Sequence, residues 1–135
     1  MKKNKAFTLI ELMISSVILV VCLFSLITSF IMCYGLSETA RNTTIATEDG
    51  RRVIEEMRST SAESLVLVVN EDWSAWAAAH GCVNLEQEQI LVTYTDRNGT
   101  GDPLDDDPLE VSVNVTWQER GRWRILNFNV LLTPR

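Results

Sequence analysis

Lys5-Ala6-Phe7-Thr8-Leu9-Ile10-Glu11-Leu12 opens an apolar run that continues to Leu36, and how this stretch is read decides the rest of the chain. Between Phe7 and Leu36 the one charged side chain is Glu11, and the 25 residues from Leu12 to Leu36 carry none. At about 1.5 Å per helical residue this segment reaches roughly 37 Å, more than the roughly 30 Å hydrocarbon core of a bilayer. A secretory signal peptide would have a core of about 7 to 15 apolar residues and then a small-residue cleavage site, and neither is found here. A plain signal anchor fits the length but leaves Glu11 unexplained. An acidic residue at the centre of a membrane helix costs about 2.5 to 3.5 kcal/mol, and even nearer the end it asks for a partner.

Ala6-Phe7-Thr8-Leu9-Ile10-Glu11 resembles the prepilin peptidase and methylation signal of the type IV pilin-like superfamily, which includes pilins and the pseudopilins of type II secretion. The resemblance covers the leader and the first third of the chain. It implies cleavage between Ala6 and Phe7 by an aspartyl peptidase at the cytoplasmic membrane face, followed by N-methylation of Phe7. Ala6 stands where most members have glycine, which puts the rate of cleavage in question. The resemblance further implies other pilin or pseudopilin subunits, the inner membrane and an assembly platform as partners.

The chemistry of the motif can be followed without the family. Cleavage leaves a largely cationic amine on Phe7, one helical turn from Glu11. In a bundle of such helices the amine of one subunit can meet the Glu11 carboxylate of its neighbour. At 4 Å and an effective dielectric near 20 the pair gains about 4 kcal/mol before desolvation. Glu11 is therefore the candidate assembly residue.

The charge distribution gives the expected orientation. Lys2, Lys3 and Lys5 are the only lysines, and the rest of the chain sets nine arginines against 18 acids, a net of −9. The basic leader is expected to stay cytoplasmic and the body to be exported, into the periplasm of a Gram-negative cell. So acidic a body is a poor nucleic-acid binder. Cys22 and Cys33 lie in the apolar run and Cys82 is the one cysteine beyond it, so no disulfide closes within the body. Cys82 is left as a small hydrophobe or a cross-link between subunits.

The domain plan is a cleaved leader at 1–6, a long helix at 7–60 with 7–34 in the membrane, and a small exported α+β domain at 61–135. Beyond the membrane the helix is expected to run to about Ser59, with Leu36, Ala40, Thr43, Thr47, Gly50, Ile54 and Met57 on its covered face. Thr43, Thr44 and Gly50 weaken it enough to suggest local melting. Leu65 to Val69 reads as a short apolar strand or core run. Trp73, Trp76, Ala77 and His80 recur at helical spacing between a capping Asp72 and Gly81.

Three strands follow. Gln89 to Thr95 is the first. Leu109, Val111, Val113, Val115 and Trp117 alternate with polar residues in the clearest strand of the chain, and after a turn at Arg120 and Gly121, Leu126, Phe128, Val130 and Leu132 share a face of the last. The expected fold is α+β, an antiparallel meander packed on the exported half of the long helix.

No nucleophile elbow, phosphate loop or paired-cysteine metal spacing is present, and His80 reads as a packing residue. One loop has chemical interest. From Asp96 to Asp107, the residues Asp96, Asn98, Thr100 and Asp102, with Gly101 at position six and Asp107 at twelve, resemble a helix-loop-helix calcium loop, and Asp105 adds a further carboxylate. Thr100 is a weak ligand, Asp107 is shorter than the usual glutamate, and Pro103 with flanking strands rules out the helical frame. A Ca²⁺ site and a solvated acidic hairpin loop are both compatible with the pattern.

The short body, the Val-x-Val-x-Val-x-Trp strand and the absence of proline from residues 7–60 look like the I-type pseudopilins and PilV-like minor pilins. The function expected is a minor structural subunit of a type IV pilus or type II secretion pseudopilus, with no enzymatic activity. The alternative is a single-pass, membrane-anchored periplasmic binding or sensor domain that does not polymerise.

Overall fold

The computed structural model describes residues 8–97, 99–106 and 108–133. Ala6, Phe7, Asn98 and Asp107 lie outside the described residues, as does the side chain of Asp105. The elements are α1 (Leu9–Ser61), α2 (Leu65–Asn70), α3 (Trp73–Ala79), β1 (Gln89–Thr95), a 3-10 turn (Pro103–Asp105), β2 (Leu109–Glu119) and β3 (Arg122–Leu132). The chain divides into two compact units, Met1–Glu38 and Thr39–Arg135.

The first unit is apolar helix. Its best 18-residue window has a mean hydropathy of 2.6, with none of it buried. Several polar side chains inside it are satisfied locally: Ser25, Thr28 and Ser29 donate to the carbonyls of Val21, Phe24 and Ser25, four residues back. In a solvent without hydrogen-bonding partners this matters, because a free hydroxyl there costs several kcal/mol.

The second unit is the α+β body. β1, β2 and β3 form one antiparallel sheet with β2 in the middle. Register brings Ile90, Val115 and Leu126 together, then Val92, Val113 and Phe128, then Tyr94, Val111 and Val130, all on one face. Leu109, Val111, Val113 and Val115 are fully buried. Burying each such side chain is worth about 1.5 to 3 kcal/mol, so the alternation in β2 carries much of the core. Arg120 and Gly121, at φ of 50° and 73°, make the two-residue β2–β3 turn, whose twist matches the strands it joins.

The buried face of α1 differs from the expected one. Ala46, Asp49, Gly50, Val53, Ile54, Met57 and Ser61 are buried, whereas Leu36 is exposed and Thr43 and Thr47 are half-buried. Helical periodicity fixes that a stripe exists but permits it to slide round the helix by one residue. Nor is α1 melted near Gly50. A Cβ built there would sit 2.5 Å from Cε2 of Phe128 and 3.2 Å from Cγ2 of Val115, so the missing side chain makes room for sheet side chains against the helix.

Leu65–Asn70 is helical, not a strand. Ser64 caps it by accepting from the Val66 N–H, and its neighbour Asp72 caps α3 by accepting from the N–H groups of Ser74 and Ala75. The carbonyl of Val68 takes two hydrogen bonds, from Trp73 Nε1 at 2.7 Å and from the Tyr94 hydroxyl at 2.8 Å. That double acceptance ties α2 and α3 to β1. Burial pushes the Tyr94 phenol up from its ordinary value.

Candidate functional site

The start of α1 is a closed hydrogen-bonded box. Thr8 donates to Glu11 Oε2 through its backbone N–H and its hydroxyl, both at 3.1 Å, and the Thr8 hydroxyl accepts from the Glu11 N–H at 3.4 Å. Thr-x-x-Glu is the capping-box pattern, which occupies two of the otherwise orphaned N–H groups of a first turn. The sequence reading left Glu11 without a partner inside its own chain. The structure corrects this: Thr8 is that partner, and the negative charge lies at the positive end of the helix dipole. A carboxylate has about four acceptor sites, so capping leaves capacity for a donor from elsewhere.

The acidic loop uses its carboxylates on its own backbone. Asp96 accepts from Gly99 N–H at 2.7 Å and from Gly101 N–H at 2.6 Å. Asp102 accepts from Leu104 N–H, and Asp106, itself buried, accepts from Arg97 N–H at 2.6 Å. The Thr100 hydroxyl donates weakly to the Asp102 carbonyl at 3.5 Å. Among the described residues no three of His, Cys, Asp and Glu are gathered where they could hold a metal ion. The calcium expectation for Asp96, Asn98, Thr100, Asp102, Asp105 and Asp107 thus rests on the sequence pattern alone.

Three carboxylates that drew no attention in the sequence are buried: Asp49, Glu88 and Glu119. Glu119 accepts from Asn42 Nδ2 at 3.0 Å and from Arg124 Nε at 3.1 Å, linking α1, β2 and β3. Asp49 accepts from Asn84 Nδ2 through both oxygens, at 3.0 and 2.9 Å. Glu88 Oε2 accepts from the N–H groups of Asn84 and Leu85, each at 2.8 Å, while its Oε1 is buried without a partner. Burial, and secondarily the charge of Asp49, raises Glu88 above its ordinary 4.5. A signal for one of these was present: Glu119 continues the core-facing parity of β2.

Glu88 gives a pH prediction. Its folded form holds its proton more tightly than the unfolded chain, so its contribution to stability is full below about 4.5 and is lost as pH rises through the raised value. Glu88→Gln keeps an oxygen for the two backbone donors and removes the charge. The variant should melt higher than wild type at pH 8 by a few degrees, about 1 kcal/mol, with the curves converging toward pH 4.5. A variant less stable at pH 8 would show that the ionised carboxylate is wanted there.

Cys82 is buried, which closes it to a partner's thiol, and that burial raises its proton affinity. His80 stacks on Trp76 at 4.2 Å, and its Nδ1 lies 2.8 Å from the Trp76 carbonyl at the end of α3. Both act in packing and capping.

The described residues combine a membrane-length apolar helix, opened by a capping box, with a small α+β body. Residues 1–27 match the prokaryotic N-terminal methylation motif, the type IV prepilin-like signal, so the chain carries the mark of a prepilin peptidase substrate that assembles with pilin-like subunits. The signal and the apolar helix fit anchoring in the inner membrane. No curated protein and no solved structure matches the chain significantly.

Proposed function

We propose that this protein is a minor structural subunit of a type IV pilus or a type II secretion pseudopilus, without enzymatic activity of its own. The observation that carries the reading is the methylation motif at residues 1–27, continuous with the exposed apolar surface of α1 up to Leu36. In this reading the leader stays in the cytoplasm, cleavage follows Ala6, and the body faces the periplasm until the assembly platform draws the helix into a filament. The exposed apolar helix then passes from lipid to neighbouring helices. That transfer loses little hydrophobic stabilisation and gains packing.

The test is intact-mass analysis of the protein purified from membranes and from sheared filaments, in cells with and without prepilin peptidase. The expected filament form begins at Phe7 with one added methyl group and is present at far fewer copies than the main subunit. Retention of Met1 or Lys2 in filaments would overturn the processing step. A stable, unprocessed monomer confined to the membrane would favour an anchored binding or sensor domain instead.

A further inference from the structure

β3 is an edge strand of the sheet. Among the described residues β1 and β3 each pair only with β2, and α3 lies near β1. An edge strand turns every second backbone N–H and C=O outward, and proteins normally blunt such an edge with charge, proline, a bulge or a covering element. β3 keeps unbroken register with β2 over eleven residues, and from Ile125 to Leu132 it has neither proline nor a charged side chain. Beside it, an open groove of about 520 Å³ runs between the strand and α1, floored by Ile54, Phe128 and Val130 and rimmed by Arg51 and Arg58. A second hollow of about 500 Å³ continues it toward Leu132 and Ala62. Glu55 is the one acid among the described lining residues of either, so the rim is net positive on a body that is otherwise strongly acidic.

We propose that this edge accepts an extended segment of another protein as a fourth strand, with apolar side chains entering the groove and acidic ones meeting Arg51 and Arg58. Backbone pairing supplies affinity, and the groove and its arginines supply selection. A second copy of this chain is the poorer occupant. β3 against β3 would bring together two grooves whose lining charges, Arg51 and Arg58 against Glu55, have the same net sign, which disfavours the pairing. The proposal rests on the body alone and stands whether or not the chain enters a filament.

The test uses the full chain in detergent micelles and two fluorescent octapeptides. One alternates valine with glutamate and threonine, and the other has lysine for each glutamate. The acidic peptide should bind at least tenfold more tightly, and slow amide exchange at residues 126–131. The double variant Arg51→Glu with Arg58→Glu should reverse the preference, a gain for the lysine peptide that a misfolded body would not show. Equal affinity for the two peptides, no binding of either, or protection elsewhere than β3 would overturn the proposal. Protection of β3 that grows with protein concentration in the absence of peptide would also overturn it, by placing a second copy on the edge.

Discussion

Glu11→Gln is expected to lower incorporation into the filament at least tenfold while insertion into the membrane and removal of the leader continue. The reasoning separates two jobs of one carboxylate. Within the chain, Glu11 completes the box with Thr8, and a glutamine oxygen can accept the same bonds, so the box survives the substitution. Between chains, the negative charge is what a neighbour's cationic Phe7 amine would meet, and glutamine removes it. A net 1.4 kcal/mol is already a factor of ten, well inside the roughly 4 kcal/mol gross attraction of such a pair. Thr8→Ala is the complementary variant: it opens the box and leaves the charge. It should cost about 1 kcal/mol of local helix stability and little assembly. The measurement is the ratio of each variant in sheared filaments to that in membranes. If Thr8→Ala fails and Glu11→Gln assembles normally, Glu11 serves only as a cap.

Gly50→Val should be the most damaging single change in the body, lowering its stability by about 2 kcal/mol or more. Elsewhere on a helix, replacing glycine removes a penalty of up to about 1 kcal/mol, so an exposed position would predict a gain. Here the first added carbon already meets the Phe128 ring at 2.5 Å and Val115 at 3.2 Å. The branches of valine have no free direction between a helix and a sheet packed this closely. Phe128 can swing toward the groove, but Val115 is fully buried in the central strand and cannot. For a body of about 100 residues, that loss lowers the melting temperature by about 8 °C or more. Gly50→Val paired with Phe128→Leu should recover part of it. An unchanged melting temperature for the single variant would mean the helix rides farther from the sheet than the structure places it.

Much of the architecture was open to reading in one dimension because its signals are local. An uninterrupted run of 25 uncharged residues can satisfy its backbone in lipid only as a helix. Strict alternation from Leu109 to Trp117 admits only a strand with one buried face. Asp72 and Gly81 bracket α3 where they were expected. The capping box was equally legible as Thr8-x-x-Glu11.

The remainder depended on what lies across the fold. Six apolar residues at 65–70 have no period long enough to separate strand from helix, and the choice came from the Ser64 cap and from Val68 receiving Trp73 and Tyr94. The rotation of α1 was settled by Asp49 finding Asn84 and by Gly50 finding Phe128, partners about 35 and 78 residues away. Glu119 has its Asn42 donor 77 residues away, and although Glu88 takes its donors from nearby Asn84 and Leu85, its burial beside Asp49 appears only in the fold. By itself, then, the sequence determined the membrane-length apolar helix, its methylation motif and the alternating strands, because backbone satisfaction and side-chain period act within a few residues. Tertiary structure alone decided which helix face is covered and which carboxylates are held by distant donors, because those depend on groups that meet only when the chain is folded.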